Sequence, residues 1–274
     1  NKDIIRSTYD KQIIQEFGSN LTYFGLPGPE ILDILEWRSC IKYVVAVERD
    51  ETLAQLLLDN IFRAKIKLDG FQLLHGDVDD ILTSGFDKYG TSIKFPFNLV
   101  NLDYYGGVIY TDLKGKSKRA EAIRKLFERQ RQGGKSFLLF FTFNSRNRDE
   151  KEFEHTIDAL EECLHGMQIQ ATDLFEWYRE KPGKYPYKIK IFVLHFICSL
   201  ASAHQFEYHC YPPIVYIGEK AKMLHFAFKL NWIPTIGGPA YNPITTLNCP
   251  LKQLKNGHFV DLGIPTLRVK EAST

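Results

Sequence analysis

Four short segments carry residue types able to hold or act on a small polar ligand. In Asn101-Leu102-Asp103-Tyr104-Tyr105-Gly106-Gly107 a carboxylate and two phenols directly follow an apolar run. A carboxylate leaving a buried strand costs free energy unless it is paired or faces a site, which makes Asp103 the leading candidate for chemistry. His75-Gly76-Asp77-Val78 ends another apolar run in a carboxylate that can accept from an exocyclic amine. Glu48 lies 20 residues after Gly28, about where nucleoside-binding folds place the acid that accepts from ribose hydroxyls. The other reading of Glu48, with Arg49, Asp50 and Glu51, is a helix cap, because acids are favourable at a helix start. Phe24-Gly25-Leu26-Pro27-Gly28-Pro29 has two glycines that let backbone approach a ligand, and a plain tight turn explains them equally well.

These segments fall at the ends of an alternating series. Residues 3–17 have apolar residues near the helical period until Gly18-Ser19-Asn20 breaks it. Strand-like runs at 21–25, 41–47, 71–75, 97–102 and 135–143 then take turns with helical stretches at 30–37, 51–64, 79–82, 116–132 and 149–165. Such alternation builds a parallel sheet with helices on both faces, since each parallel neighbour needs a crossover. A helical stretch over 187–204 precedes strand-like runs at 206–217 and 222–230, joined by only Gly218-Glu219-Lys220-Ala221. So short a link forces an antiparallel hairpin. The expected fold is α/β, a doubly wound, mostly parallel seven-stranded sheet with a C-terminal antiparallel hairpin. An N-terminal helix over 1–20, a body over 21–231 and an extended tail over 232–274 complete the division. Five of the 12 prolines fall in that tail, so it is expected to lie extended on the body or on a partner.

The order of motifs resembles the class I S-adenosylmethionine-dependent methyltransferases over roughly residues 20–231. What carries the resemblance is the Gly25/Gly28 loop, the acid Glu48 closing the second strand, Gly76-Asp77 after the third, Asp103-Tyr104-Tyr105-Gly106 after the fourth, and the final hairpin. The resemblance implies a Rossmann-like fold and S-adenosylmethionine as cofactor, with Gly25 and Gly28 at its methionine moiety, Glu48 at the ribose and Asp77 at the adenine. The fourth motif looks like the Asp/Asn-Pro-Pro-Tyr loop of amino-methyltransferases, and closer to the Asp-Pro-Phe-Gly of tRNA guanine N2-dimethyltransferases. Carried over, Asp103 accepts a hydrogen bond from a target amine while Tyr104 or Tyr105 stacks on a base. The chain departs from the family in having Tyr23-Phe24-Gly25-Leu26-Pro27-Gly28 for the usual glycine loop and no proline in the fourth loop.

Charge bears on the acceptor. Lysines and arginines number 35 against 33 acids, a net +2, so attraction to nucleic acid must come from local clustering. Residues 114–135 hold nine basic residues against Glu121 and Glu128. With Lys118, Arg119, Arg124 and Arg131 there, and Arg146 and Arg148 beyond the fifth strand, this patch tracks phosphates of DNA or RNA or is an ordinary solvated face. Residues 175–187 interleave aromatic and basic side chains, which suits flipped bases as well as packing beneath a lid.

Other classes are disfavoured. The eight histidines show no ligand spacing, so no metal is expected. The five cysteines form no C-x-x-C pair and read as reduced thiols. No apolar run reaches bilayer length and Asn1-Lys2-Asp3 opens no leader, so a cytoplasmic protein without membrane contact is expected. The missing G-x-G-x-x-G and the terminal hairpin speak against nicotinamide chemistry. Two readings remain: a methyltransferase acting at a nucleic-acid base amine, and a catalytically silent methyltransferase-like module that binds nucleic acid or docks a protein partner through its tail.

Overall fold

The computed structural model describes residues 2–104, 106, 118–144, 185–217, 222–234 and 267–268. The expected helix at 149–165, the aromatic and basic segment at 175–184, Tyr105, Arg146 and Arg148 lie outside them.

Five parallel strands form the heart of the sheet: β1 (Leu21–Gly25), β2 (Ile41–Glu48), β3 (Gly70–His75), β4 (Leu99–Asp103) and β5 (Phe137–Asn144). They stand in the order β3-β2-β1-β4-β5, so the order reverses between β1 and β4. At that reversal Gly25 pairs with Asn101, and the carboxyl ends of the two strands open a crevice between diverging connections. β8 (Lys222–Trp232) runs antiparallel to β5 along its length and is the expected reversed strand.

The run expected over 206–217 is split. β6 (Phe206–Cys210) pairs with the C-terminal half of β8 and β7 (Ile214–Ile217) with its N-terminal half, with Pro212 and Pro213 in the gap. Proline has no N–H for the ladder, and that breaks one strand into two. β9 (Leu267–Arg268) lies parallel to β7 at the sheet edge, which places this part of the tail on the chain's own body.

Helices cover both faces because the strands are apolar on both. In β5, Phe137 to Phe143 are all buried, the mark of a central parallel strand. α5 (Val78–Ser84), α6 (Lys118–Gly133) and α7 (Tyr185–Ala203) pack on one face, around Phe24, Leu102, Phe127 and Phe141. α2 (Lys11–Phe17), α3 (Leu32–Trp37) and α4 (Glu51–Ala64) cover the other, around Tyr23, Val44, Trp37 and Phe140. Adjacent residues Tyr23 and Phe24 thus enter opposite cores, as the period of a strand requires. Gln130, fully buried in α6, donates to Phe97 O and accepts from Phe97 N, each at 2.8 Å, so the apolar face tolerates it.

The N-terminal helix is three segments in one run. α1 (Lys2–Ile4) leads through a π-helical turn at Ile5–Asp10 into α2. Ile13 and Ile14 of α2 sit in the core, whereas the part before them crosses the carboxyl ends of the strands.

Candidate active site

Parallel pairing brings the sequence candidates to one edge. Glu48 stands beside His75 in register, and Asp103 beside Thr142. Gly25, Glu48, Asp77 and Asp103 therefore close four neighbouring strands or their loops, in the order Asp77, Glu48, Gly25, Asp103 along the edge.

Each has a local reason for its place. Gly25 is dictated by packing: a Cβ there would stand 2.4 Å from Asn101 O and 2.6 Å from Tyr23 Oη. Its glycine is thus explained without a ligand. Gly28 has φ +67° and no close neighbour, the nearest atom to a Cβ there being Glu30 Oε2 at 3.8 Å, and its loop is pinned by Asn60 Nδ2 donating to Pro29 O at 3.0 Å. Left-handed backbone of this kind favours glycine. Asp50 caps α4, accepting from Leu53 N at 3.0 Å. Glu48 is free of that duty: its Oε1 accepts from Arg49 N at 2.8 Å and Asp50 N at 3.0 Å. Its Oε2 has no partner among the described residues and remains able to accept. Asp77 caps α5 through Asp79 N at 2.9 Å and has Lys118 Nζ at 3.5 Å, again from Oδ1 alone.

Tyr104, one of the two candidates for stacking, stands in an internal network. It is 4% exposed, donates its hydroxyl to Asp79 Oδ1 at 2.7 Å and carries the Arg119 guanidinium 3.7 Å above its ring. Burial raises the Asp79 carboxyl above its ordinary range, against the pull of Arg119 at 3.3 Å. The ring is thus buried, tied through its hydroxyl to a buried acid, and covered on one face by a cation.

The basic helix is also largely neutralised. Lys118 pairs with Asp80 at 2.8 Å, Arg124 grips Glu121 at 2.5 and 2.7 Å, Lys125 pairs with Glu128 at 2.9 Å, and Arg129 donates to Leu82 O and Thr83 O. Arg119 is the Tyr104 partner, so Lys118, Arg119 and Arg124 each have an acidic or aromatic partner within the chain. Arg131 is exposed and donates to Gln205 Oε1 at 3.1 Å.

The structure adds a polar network that the sequence reading missed. The N-terminal run lays Lys2, Arg6 and Asp10 over the edge at four-residue spacing, the repeat of one helix face. Lys2 Nζ contacts Asp103 Oδ2, and Arg6 Nε contacts Asp33 Oδ1. Asp33 is buried in the first turn of α3 and also accepts from Asn101 Nδ2 at 2.6 Å. Burial raises its carboxyl above the ordinary range, with Arg6 pulling the other way. Asp10 Oδ1 meets His225 Nε2 at 2.8 Å, and His225 Nδ1 meets Thr142 Oγ1 at 2.7 Å. Trp37 Nε1 donates to the Arg6 carbonyl at 3.0 Å. The available signal was polar residues inside apolar runs: Asp33 within Ile31-Leu32-Asp33-Ile34-Leu35, Asn101 within Leu99-Val100-Asn101-Leu102.

Among the described residues no group of histidine, cysteine and carboxylate side chains could hold a metal ion, and no described helix is long and apolar enough to cross a membrane.

No protein-family profile matches the sequence, and no curated protein matches it. Similar solved structures include an O-methyltransferase from Bacillus cereus in complex with SAH, at 11% identity over 82% of this chain and 80% of that one, TM-score 0.46. Others are an rRNA methylase from Streptococcus thermophilus, at 11% identity over 82% and 96%, TM-score 0.45, and TYW2 from M. jannaschii in complex with AdoMet, at 13% identity over 83% and 77%, TM-score 0.43. Likenesses of this size carry no weight about chemistry, which has to be read from the site's own residues. By its strand order and its single reversed strand between β5 and the β6/β7 edge, the chain has the Rossmann-like fold expected of class I methyltransferases.

Proposed function

We propose that the chain is an S-adenosylmethionine-dependent methyltransferase whose acceptor is an amine, carried on a nucleic-acid base. The observation that carries this reading is the alignment of Gly28, Glu48, Asp77 and Asp103 along one carboxyl edge, with an acceptor oxygen unpartnered among the described residues on both Glu48 and Asp77. The residues fit the cofactor. The Gly28 loop can approach it with backbone, Glu48 Oε2 can accept from ribose hydroxyls, and Asp77 Oδ2 can accept from the adenine amine. When bound, the cofactor supplies a methyl group on an electrophilic sulfonium.

The protein's part is positional. Transfer is an in-line displacement, and the residues must hold the acceptor nitrogen in line, keep water out and tolerate the charge change. Asp103, at the end of β4 and 18% exposed in its side chain, accepts a hydrogen bond from the acceptor amine and orients its lone pair. Tyr105 is the remaining candidate for stacking on the base, since Tyr104 is committed to Asp79. Phosphate contact falls to Arg131 with Arg146 and Arg148, because Lys118, Arg119 and Arg124 are paired internally.

The silent-module reading has one observation in its favour: Lys2 already occupies Asp103. Calorimetry with S-adenosylmethionine, its demethylated product and NAD, followed by methyl transfer to a mixed RNA and DNA pool, separates the readings. Binding of the first two without NAD, together with transfer, supports the enzyme. Binding without transfer to the pool favours the silent module, and preference for NAD overturns both.

A further inference from the structure

The following rests on the reading of Asp103 as the group that faces the acceptor amine. We propose that Lys2 occupies the acceptor position of the site and is itself methylated there.

The placement is specific. Lys2 Nζ contacts Asp103 Oδ2 across 101 residues of sequence, and Lys2 is the only cation in ion-pair contact with Asp103 among the described residues. The Lys2 side chain is 43% exposed, a setting in which an ion pair contributes little to stability, so the fold does not require the contact. What sets it is the helix behind Lys2, held by Arg6 on Asp33 and Asp10 on His225. The result is a primary amine on a long flexible stem, delivered to the carboxylate that the reaction would use to hold an amine.

The segment is also built to release that amine. Ile13 and Ile14, 4% and 0% exposed, anchor α2 in the main core. The part before it is held by polar contacts and by Ile5 against Ile214 and Tyr216. Between the anchored helix and α1 lies the π-helical turn of Ile5–Asp10, a geometry found mostly as an interruption at functional places. Lys2 can therefore leave Asp103 without disturbing the core, and an external acceptor has to displace it.

The step balances. The Lys2 ammonium gives one proton to water, the freed lone pair forms the N–CH3 bond, and the S–CH3 bond breaks with its electron pair remaining on sulfur. The products are the methylated lysine, which regains its positive charge at nitrogen, the neutral thioether and one released proton. The product cation can keep its contact with Asp103.

The test uses the full chain. Without cofactor, brief acetylation with acetic anhydride should label Lys2 slowly, and Asp103→Asn should speed labelling of Lys2 about fivefold while leaving exposed Lys94 unchanged. Equal labelling of Lys2 in both proteins overturns the placement. With S-adenosylmethionine carrying a deuterated methyl group, binding is measured by calorimetry and the same sample is digested and sequenced by mass spectrometry. A labelled methyl on Lys2, lost in Asp103→Asn and in Lys2→Gln, is the expected result. Binding with Lys2 unmodified overturns this inference and leaves the cofactor reading standing. Absence of binding overturns the cofactor reading itself, and this inference with it.

Discussion

Asp10 and His225 meet at 2.8 Å although 215 residues separate them in sequence. His225 passes the contact on to Thr142, so a helix at the N-terminus, β8 and β5 are tied through one imidazole, and all three residues are no more than 5% exposed. Asp10→Ala leaves a buried ring nitrogen without its acceptor, a loss of about 2 kcal/mol. Urea denaturation should show that loss, and a smaller one for Asp10→Asn, which keeps an acceptor oxygen. Equal stabilities would mean that the network does not hold the helix.

Glu48 gives a test of cofactor contact that is separable from folding. Its Oε1 serves the Arg49 and Asp50 amides, and its Oε2 remains for ribose. Glu48→Ala should weaken S-adenosylmethionine binding by about 1.5–3 kcal/mol, the range of a charge-assisted hydrogen bond. Glu48→Gln, which preserves the turn, should lose less. Affinity unchanged in a folded Glu48→Ala protein removes Glu48 from the site.

Asp103 and Tyr104 are neighbours in sequence with opposite expected phenotypes. Asp103→Ala should leave stability and cofactor binding near wild type and lower methyl transfer about 10²-fold, the scale of a lost positioning group. Tyr104→Phe removes the donor to Asp79, which stays buried beside Arg119, and should cost about 1–2 kcal/mol of stability with little change in transfer per folded molecule. Thermal melts and initial rates on both variants check the pair.

Arg131 and Arg124 should also part company. Arg131→Glu acts on an exposed cation and should reduce the salt dependence of nucleic-acid binding by about one to two counterions. Arg124→Glu should instead lower helix stability, because it sets a third acid beside Glu121 and Glu128. Filter binding across a salt series and urea melts give the two readouts.

His204 predicts an acid-sensitive slope. Both ring nitrogens are buried beside Phe127 without a hydrogen-bond partner among the described residues, and burial pushes the imidazole pKa down to about 4. The unfolded ring takes its proton near 6.5 and the folded one only near 4, so between those values the unfolded state binds more protons. Stability should fall as pH decreases through that window, by about 3 kcal/mol. His204→Phe should remove this part of the slope, as read by urea midpoints at successive pH values.

Much of the architecture was legible in the sequence because it depends on local periodicity. Strand and helix took turns, and four residues between the last two long runs allowed only a hairpin. The acids Glu48 and Asp103 could be placed at strand ends because each follows an apolar run directly, and Asp77 because it follows such a run through His75-Gly76. The break at Pro212 and Pro213 was visible in principle, since proline cannot join a ladder, yet its effect needed a partner strand long enough to pair with both halves.

Tertiary structure alone decided which charges are available. Helical spacing already sets Glu121 and Glu128 beside Arg124, but it does not say whether an acid waits opposite Lys118 and Arg119, whose acids come from α5, some 40 residues away. The fate of Tyr104 was hidden for the same reason, its partner Asp79 being supplied by a different crossover. Nor could the pattern of residues 3–17 show that Lys2, Arg6 and Asp10 lie across the candidate site. A helix face declares its period in sequence, but the groups it meets are set by chain segments up to 215 residues distant, brought together only when the sheet closes its core.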